Sequence, residues 1–174
     1  MIIPVLIVAA IVALDQISKY IVTTHMQLGE SFNLVKYILN ITYTTNRGAS
    51  FGILENHRWI FMSLSTVALI LMAAGLVYLG LKKFRGNIFL LISVSLIFGG
   101  GFSNMINRVI SGEVVDMFDF AFVNFAIFNV ADSFACIGSV LFFICILTGK
   151  YSLFDKSDKT DKINATDKIE TTEK

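Results

Sequence analysis

Apolar residues fall into four long runs along the chain, separated by stretches in which polar and charged residues concentrate. The runs are Ile2 to Thr24, Trp59 to Leu81, Ile88 to Ile106 and, roughly, Phe125 to Thr148. Each approaches or exceeds the about 20 residues that a helix needs to cross the hydrocarbon core of a bilayer. The pattern predicts four membrane-spanning helices. No Lys or Arg precedes the first run and no small-x-small cleavage signal follows it. It also continues past Asp15 and Lys19, so it reads as a retained helix rather than a cleaved signal peptide.

Between the first two runs, Ser31 to Thr45 is rich in Val, Ile, Tyr, Phe and Thr and ends in Asn46, Arg47 and Gly48, a turn signal. A small β-hairpin or sheet within residues 28–57 is the expectation. From Asp155 the chain turns to Lys, Asp, Thr and Glu, too polar to bury the surface that ordering requires. Residues 151–174 therefore read as a disordered tail on a membrane domain of residues 1–150. The fold class expected is an all-α membrane protein, four transmembrane helices with a small extracytoplasmic β-sheet.

Charge gives the direction of insertion. Lys82, Lys83 and Arg85 lie between the second and third runs, where the positive-inside rule assigns them to the cytoplasm. Both termini then lie inside, and segments 25–58 and 107–124 lie outside. Composition agrees with the membrane class, at 55% hydrophobic and 16% charged. The net charge of +1, with no basic stripe interleaved with aromatics, leaves nucleic acid unsupported as a partner. Cys136 and Cys145 lack the paired spacing or His partners of a metal site and read as small core hydrophobes.

A charge within a spanning segment costs roughly 2.5 to 3.5 kcal/mol on insertion scales, so Asp15, Lys19 and Asp132 each call for a partner or a task. With the first helix entering from inside at 1.5 Å per residue, Asp15 and Lys19 reach about 20 and 26 Å, in the outer part of the membrane. Asp132, early in the returning fourth helix, and Asn104 and Arg108, at the end of the third, come to the same level. Asp15 and Lys19 are spaced to neutralise each other. Asn104, Asn107 and Arg108 could simply cap the third helix, and Gly99, Gly100 and Gly101 fit close helix packing better than phosphate binding. Asp132 has no basic neighbour in its own helix and is the hardest to read as structural.

The second acids available to Asp132 are Asp116 and Asp119, in the stretch GEVVDMFDF. No Ser and His pair and no His or Cys cluster lies at this depth, so two aspartates remain. If two carboxyls face each other, repulsion and partial desolvation leave one proton on the pair. One acid can then activate water while the other polarises a carbonyl, which is peptide hydrolysis without a covalent intermediate. A proton-coupled carrier using Asp15, Lys19 and Asp132 is the alternative, and a non-catalytic membrane scaffold a further one.

Five motifs, in order, resemble bacterial lipoprotein signal peptidase, the type II signal peptidase, over residues 4–148. They are DQISK at Asp15 to Lys19, TNRGASFGIL at Thr45 to Leu54, GGGFSNMINR at Gly99 to Arg108, VVDMFDF at Val114 to Phe120 and FNVADS at Phe128 to Ser133. The resemblance implies an aspartic endopeptidase of the bacterial cytoplasmic membrane, with its active site near the outer leaflet. It would cut lipid-modified prolipoproteins just before the diacylglyceryl cysteine. It implies Asp116 and Asp132 as the catalytic pair, with Asp119 in a supporting or structural role. Asn46, Asn104, Arg108 and Asn129 would line the substrate site, and Asp15 and Lys19 would support it. A sheet cradling the site, globomycin-type inhibitors as ligands, membrane lipid as surroundings and no cofactor or metal complete the expectation. Two positions depart from the family pattern, which usually has Gly-Asn and Asp-Arg where this chain has Ser103-Asn104 and Asn107-Arg108.

Overall fold

The computed structural model describes residues 2–46, 48, 58–81 and 88–148. Helices α1 (Ile2–His25), α2 (Arg58–Leu81), α3 (Ile88–Ile110) and α4 (Val130–Leu147) alternate with strands β1 (Ser31–Val35) and β2 (Leu39–Asn46) after α1, and β3 (Val114–Phe120) after α3. All four helices are long and apolar enough to cross a membrane. This is a multi-pass membrane protein, and its burial pattern shows it. Leu64, Leu71, Val109 and Leu147 face outward, whereas Asp15, Ser93, Ser103 and Asn129 are enclosed. With lipid as the surrounding solvent, polar side chains find partners only inside the bundle.

Helix α3 is the hub, packing on α4, α1 and α2. Its glycines allow the close approach. A Cβ at Gly99 would come within 2.9 Å of Ile11 Cδ1, and one at Gly100 would run into the Ala131 carbonyl oxygen and lie 3.0 Å from Ala135 Cβ. Gly138 on α4 answers them, with a Cβ there only 2.8 Å from the Ser93 carbonyl oxygen. These are packing glycines, as the sequence implies. On the α2 side, Leu76, Leu79 and Leu91 form a buried apolar cluster.

The expected hairpin is β1–β2, joined through Lys36, Tyr37 and Ile38, with Tyr37 in the left-handed region at φ 63°. The sheet is larger than that hairpin. VVDMFDF, which lies outside the 28–57 segment expected to form the sheet, is strand β3, antiparallel to β2 in the order β1-β2-β3. Thr44 pairs with Asp116, and Asn40 with Asp119.

Helix boundaries also move. The fourth helix begins at Val130 rather than Phe125. The apolar residues ahead of it serve the sheet instead, because Phe120, Phe125 and Phe128 pack together and Phe128 bridges to Phe118 of β3. Helix α3 runs on to Ile110, one turn past the expected end, because its polar residues turn inward. Cys145 is buried as expected, but Cys136 is exposed on the outside of α4; a small apolar thiol suits a lipid-facing surface as well as a core. The basic loop Lys82, Lys83, Arg85 and the tail 151–174 lie outside the described residues, as does Arg47.

Candidate active site

At the end of the bundle that carries the sheet, side chains from α1, α3, α4, β2 and β3 converge. Asp15 and Lys19 lie one turn apart on α1 and form a buried ion pair, Lys19 Nζ to Asp15 Oδ2 at 2.7 Å. Asp15 also accepts from the Ser103 hydroxyl at 2.7 Å and, through its other oxygen, from the Ala131 main-chain N–H at 3.0 Å. It thereby ties α1 to α3 and to the first turn of α4. Lys19 donates onward to the side-chain oxygens of Asn104 and Asn107, each at 2.8 Å. The two asparagines are thus not caps for the third helix; they face inward and meet the ammonium.

The start of α4 is set by local sequence. Asn129 is its N-cap: the side-chain oxygen accepts the Asp132 N–H at 2.9 Å, while Asp132 Oδ2 accepts the Asn129 N–H at 3.2 Å. That reciprocal capping box fixes the Asp132 carboxylate beside the helix N-terminus, where the dipole favours negative charge. Asp132 Oδ1 accepts from Asn104 Nδ2 at 2.8 Å.

Asp116 arrives from β3. It is buried, and Asn129 Nδ2 donates to its Oδ1 at 2.6 Å. One asparagine therefore holds both acids, Asp116 through its amide and Asp132 through its main chain. Burial, joined by the charge of Asp132, pushes the Asp116 carboxyl from the ordinary 3.8 up to about 7, against the opposing pull of Asn129, Lys19 and Asn46. Asp116 and Asp132 line one cavity of about 400 Å³ together with Asn46, Asn104 and Arg108. Asn129 is fully buried behind them. The Arg108 guanidinium donates to the Gly48 carbonyl at 3.2 Å, and Asn46 Oδ1 accepts the Gly48 N–H at 2.9 Å, so the chain leaving β2 is tied over the cavity.

Asp119 goes elsewhere. It accepts from the Thr42 hydroxyl at 3.1 Å and, at 3.4 Å, from Asn40, both on β2. Gln16 and Ser103, given no role from the sequence, and Asn107, read there as a cap, also contribute. Gln16 donates to the Ser103 hydroxyl at 3.0 Å and to the Asn107 oxygen at 3.1 Å, so Gln16, Ser103 and Asn107 enclose the Asp15–Lys19 pair. Helical spacing carried the signal: 15, 16 and 19 share one face of α1, and 103, 104 and 107 one face of α3. Among the described residues no three of His, Cys, Asp and Glu are grouped as metal ligands would be.

Known proteins resemble this chain in sequence and in fold. The model for signal peptidase (SPase) II matches residues 7–148. A lipoprotein signal peptidase of Brevibacillus brevis is 42% identical over 146 residues, covering 83% of this chain and 95% of its own. One from Staphylococcus aureus is 39% identical over 158 residues, covering 89% and 94%. Two solved structures described as bacterial membrane enzymes superpose with TM-scores of 0.75 and 0.71, at 36% and 38% identity. They account for 90% and 84% of this chain and 94% of each of theirs. The family model and the relatives cover most of the sequence, and the solved structures share its fold of four spanning helices with a small sheet: the chain belongs to the signal peptidase II family.

Proposed function

We propose that this protein is an aspartic endopeptidase that cleaves prolipoproteins on the N-terminal side of the diacylglyceryl cysteine, with Asp116 and Asp132 as the catalytic pair. The observation that carries this is the double hold of Asn129 on both acids at the wall of a single cavity. Asp132 is the base. Both its oxygens accept N–H groups and it sits at a helix N-terminus, conditions that favour the carboxylate. Asp116, raised to about 7, is the acid.

In the reaction a water loses a proton to Asp132 and its oxygen bonds to the scissile carbonyl carbon, while Asp116 gives its proton to the carbonyl oxygen. The tetrahedral diol then collapses: the C–N bond breaks, the amine nitrogen takes the proton held by Asp132, and a diol hydroxyl returns one to Asp116. Each acid ends as it began. Asn46, Asn104 and Arg108 hold the substrate backbone along the cavity, Asn129 orients the acids, and globomycin-type inhibitors occupy the same space. The sheet end faces the outer leaflet of the bacterial cytoplasmic membrane with both termini inside, so that a substrate's acyl chains stay in lipid while its scissile bond meets water. Residues 1–150 are the peptidase domain and 151–174 an appended tail.

The carrier alternative needs ionisable groups at other depths, and among the described residues the buried ones, Asp15, Lys19 and Asp116, all belong to this cluster. The test is prolipoprotein processing by purified Asp116→Asn and Asp132→Asn variants. Each loses roughly 10²- to 10⁴-fold or more in rate while remaining folded in the membrane. Full processing by either would remove it from the catalytic pair.

A further inference from the structure

We propose that Lys19 is a positioning residue that fixes which way round the Asn104 amide stands, and through it the N–H that Asp132 receives. This rests on the reading of Asp116 and Asp132 as the catalytic pair. An amide's oxygen and nitrogen ends have nearly the same shape, so its orientation follows from the hydrogen-bonding roles of its neighbours. At Asn129 the deciding neighbour is a main-chain N–H, that of Asp132, which only donates; the oxygen turns to it and the NH₂ turns to Asp116. Among the described residues no main-chain N–H donates to the Asn104 side-chain oxygen. Its oxygen accepts from Lys19 Nζ at 2.8 Å and from Asn129 Nδ2 at 3.2 Å, and its NH₂ faces Asp132 at 2.8 Å.

Of those two donors, Asn129 is an amide that is itself committed to Asp116. The ammonium is the shorter contact and has no acceptor capacity at all. It therefore sets the polarity of the chain Lys19 to Asn104 to Asp132. Without it, Asn104 can turn its oxygen to accept the O–H of a protonated Asp132, withdrawing a donor and opposing the ionised form.

The surroundings keep the ammonium on Asn104. Asp15 Oδ2 lies 2.7 Å from it, and Asp15 is fixed by Ser103 and by the Ala131 N–H. Asn107, held by Gln16, accepts from Lys19 as well. The two positions where this chain departs from the family pattern thus both support Lys19, Ser103 through Asp15 and Asn107 directly. The charged groups around Asp132 are Asp15 and Lys19 on α1, Arg108 on α3 and Asp116 on β3. Lys19 is hydrogen-bonded to the amide that serves Asp132.

The experiment compares wild type, Lys19→Met, Lys19→Arg and Asp132→Asn as full-length protein in lipid, measuring kcat and KM for a prolipoprotein from pH 4 to 9. Lys19→Met lowers kcat on the order of 10²-fold with KM within about threefold, as expected for misplacement rather than lost binding. It also moves the acid limb of the profile up by about one pH unit, because Asp132 loses a donor and a nearby cation. Lys19→Arg, still charged and donor-only, returns the limb and most of kcat. A purely structural lysine would change melting temperature and yield but not the limb. Wild-type kcat and limb in Lys19→Met, or a limb displaced equally in Lys19→Arg, would overturn the proposal.

If Lys19→Met does not accumulate, the side-chain ¹⁵N signal of Asn104 in the wild-type protein decides: one fixed amide that responds to the titration of the pair supports the proposal. An amide averaging between two orientations rejects it. The two readings fail separately. Asp132→Asn at wild-type activity removes the catalytic pair itself, whereas an inactive Asp132→Asn beside an unaffected Lys19→Met removes only the role of Lys19.

Discussion

The two faces of β3 each carry an aspartate, and they live in different chemical worlds. Residues three apart on a strand point to opposite sides. Asp116 lies on the side that meets the helices, where it loses water, meets the charge of Asp132 and is pushed up to about 7. Asp119 joins a polar ladder on the sheet, in which Thr42 and Asn40 donate to it and pair in turn with Ser31 and Asn33. The same side chain is thus a candidate acid catalyst in one place and a cross-strand linker in the other. Identity and exposure in sequence do not separate them; the face of the pleat does.

The sharpest way to break that comparison is to change Asp116, the largest effect in the molecule. Next comes Asn129, which holds both acids on the helix side and has no counterpart on the ladder side. Asn129→Ala keeps the cavity and the main-chain N–H to Asp132 but removes the amide that donates to Asp116 and the side-chain cap of α4, and processing falls on the order of 10²-fold. A helix-capping loss of about 1 kcal/mol accompanies it, read as a lower melting temperature.

Packing beneath the helix side gives a smaller effect. Gly100→Ala drives a methyl into the Ala131 carbonyl, next to Asp132, and costs roughly 1–3 kcal/mol with a parallel fall in activity. Gly75→Ala on α2 has nothing within 4 Å of the new methyl and leaves both unchanged. Normal stability in Gly100→Ala would show that α3 and α4 can separate without harm. The smallest effect belongs to the ladder side. Asp119→Asn keeps one acceptor for Thr42, so processing stays within about threefold and stability within about 1 kcal/mol. Loss of activity confined to Asp119→Asn would invert the assignment of the two acids.

Much of this was legible in the sequence for one reason: in lipid, apolar runs and isolated charges carry heavy penalties, so the four spans and the convergence of Asp15, Lys19, Asn104, Arg108 and Asp132 could be read from spacing and depth. The capping box was also local, in the N-x-x-D of Asn129 to Asp132. Strand β3 was not legible, because VVDMFDF is apolar on both sides and its partner β2 lies about 70 residues away. Phe125 and Phe128 extended the fourth run for the same reason; aromatic packing on a sheet and burial in lipid select the same residues. The choice between Asp116 and Asp119 depended on that strand and so could not be made from the residues alone. Family resemblance pointed to Asp116, and the strand supplies the physical reason.

The central claim is that Asp116 and Asp132 share one proton, and the direct measurement is the titration of the Asp116 carboxyl by ¹³C NMR in wild type and Asp132→Asn. The account predicts a midpoint of about 7 in wild type that moves down when the neighbouring charge is removed. Because that value lies above the ordinary 3.8, the bound proton stabilises the fold fully below about pH 4 and its contribution is lost as pH rises to about 7. The same samples should therefore melt at lower temperature across that window, and Asp116→Asn should flatten the trend. A carboxyl that titrates in the ordinary range and ignores the loss of Asp132 would contradict the account.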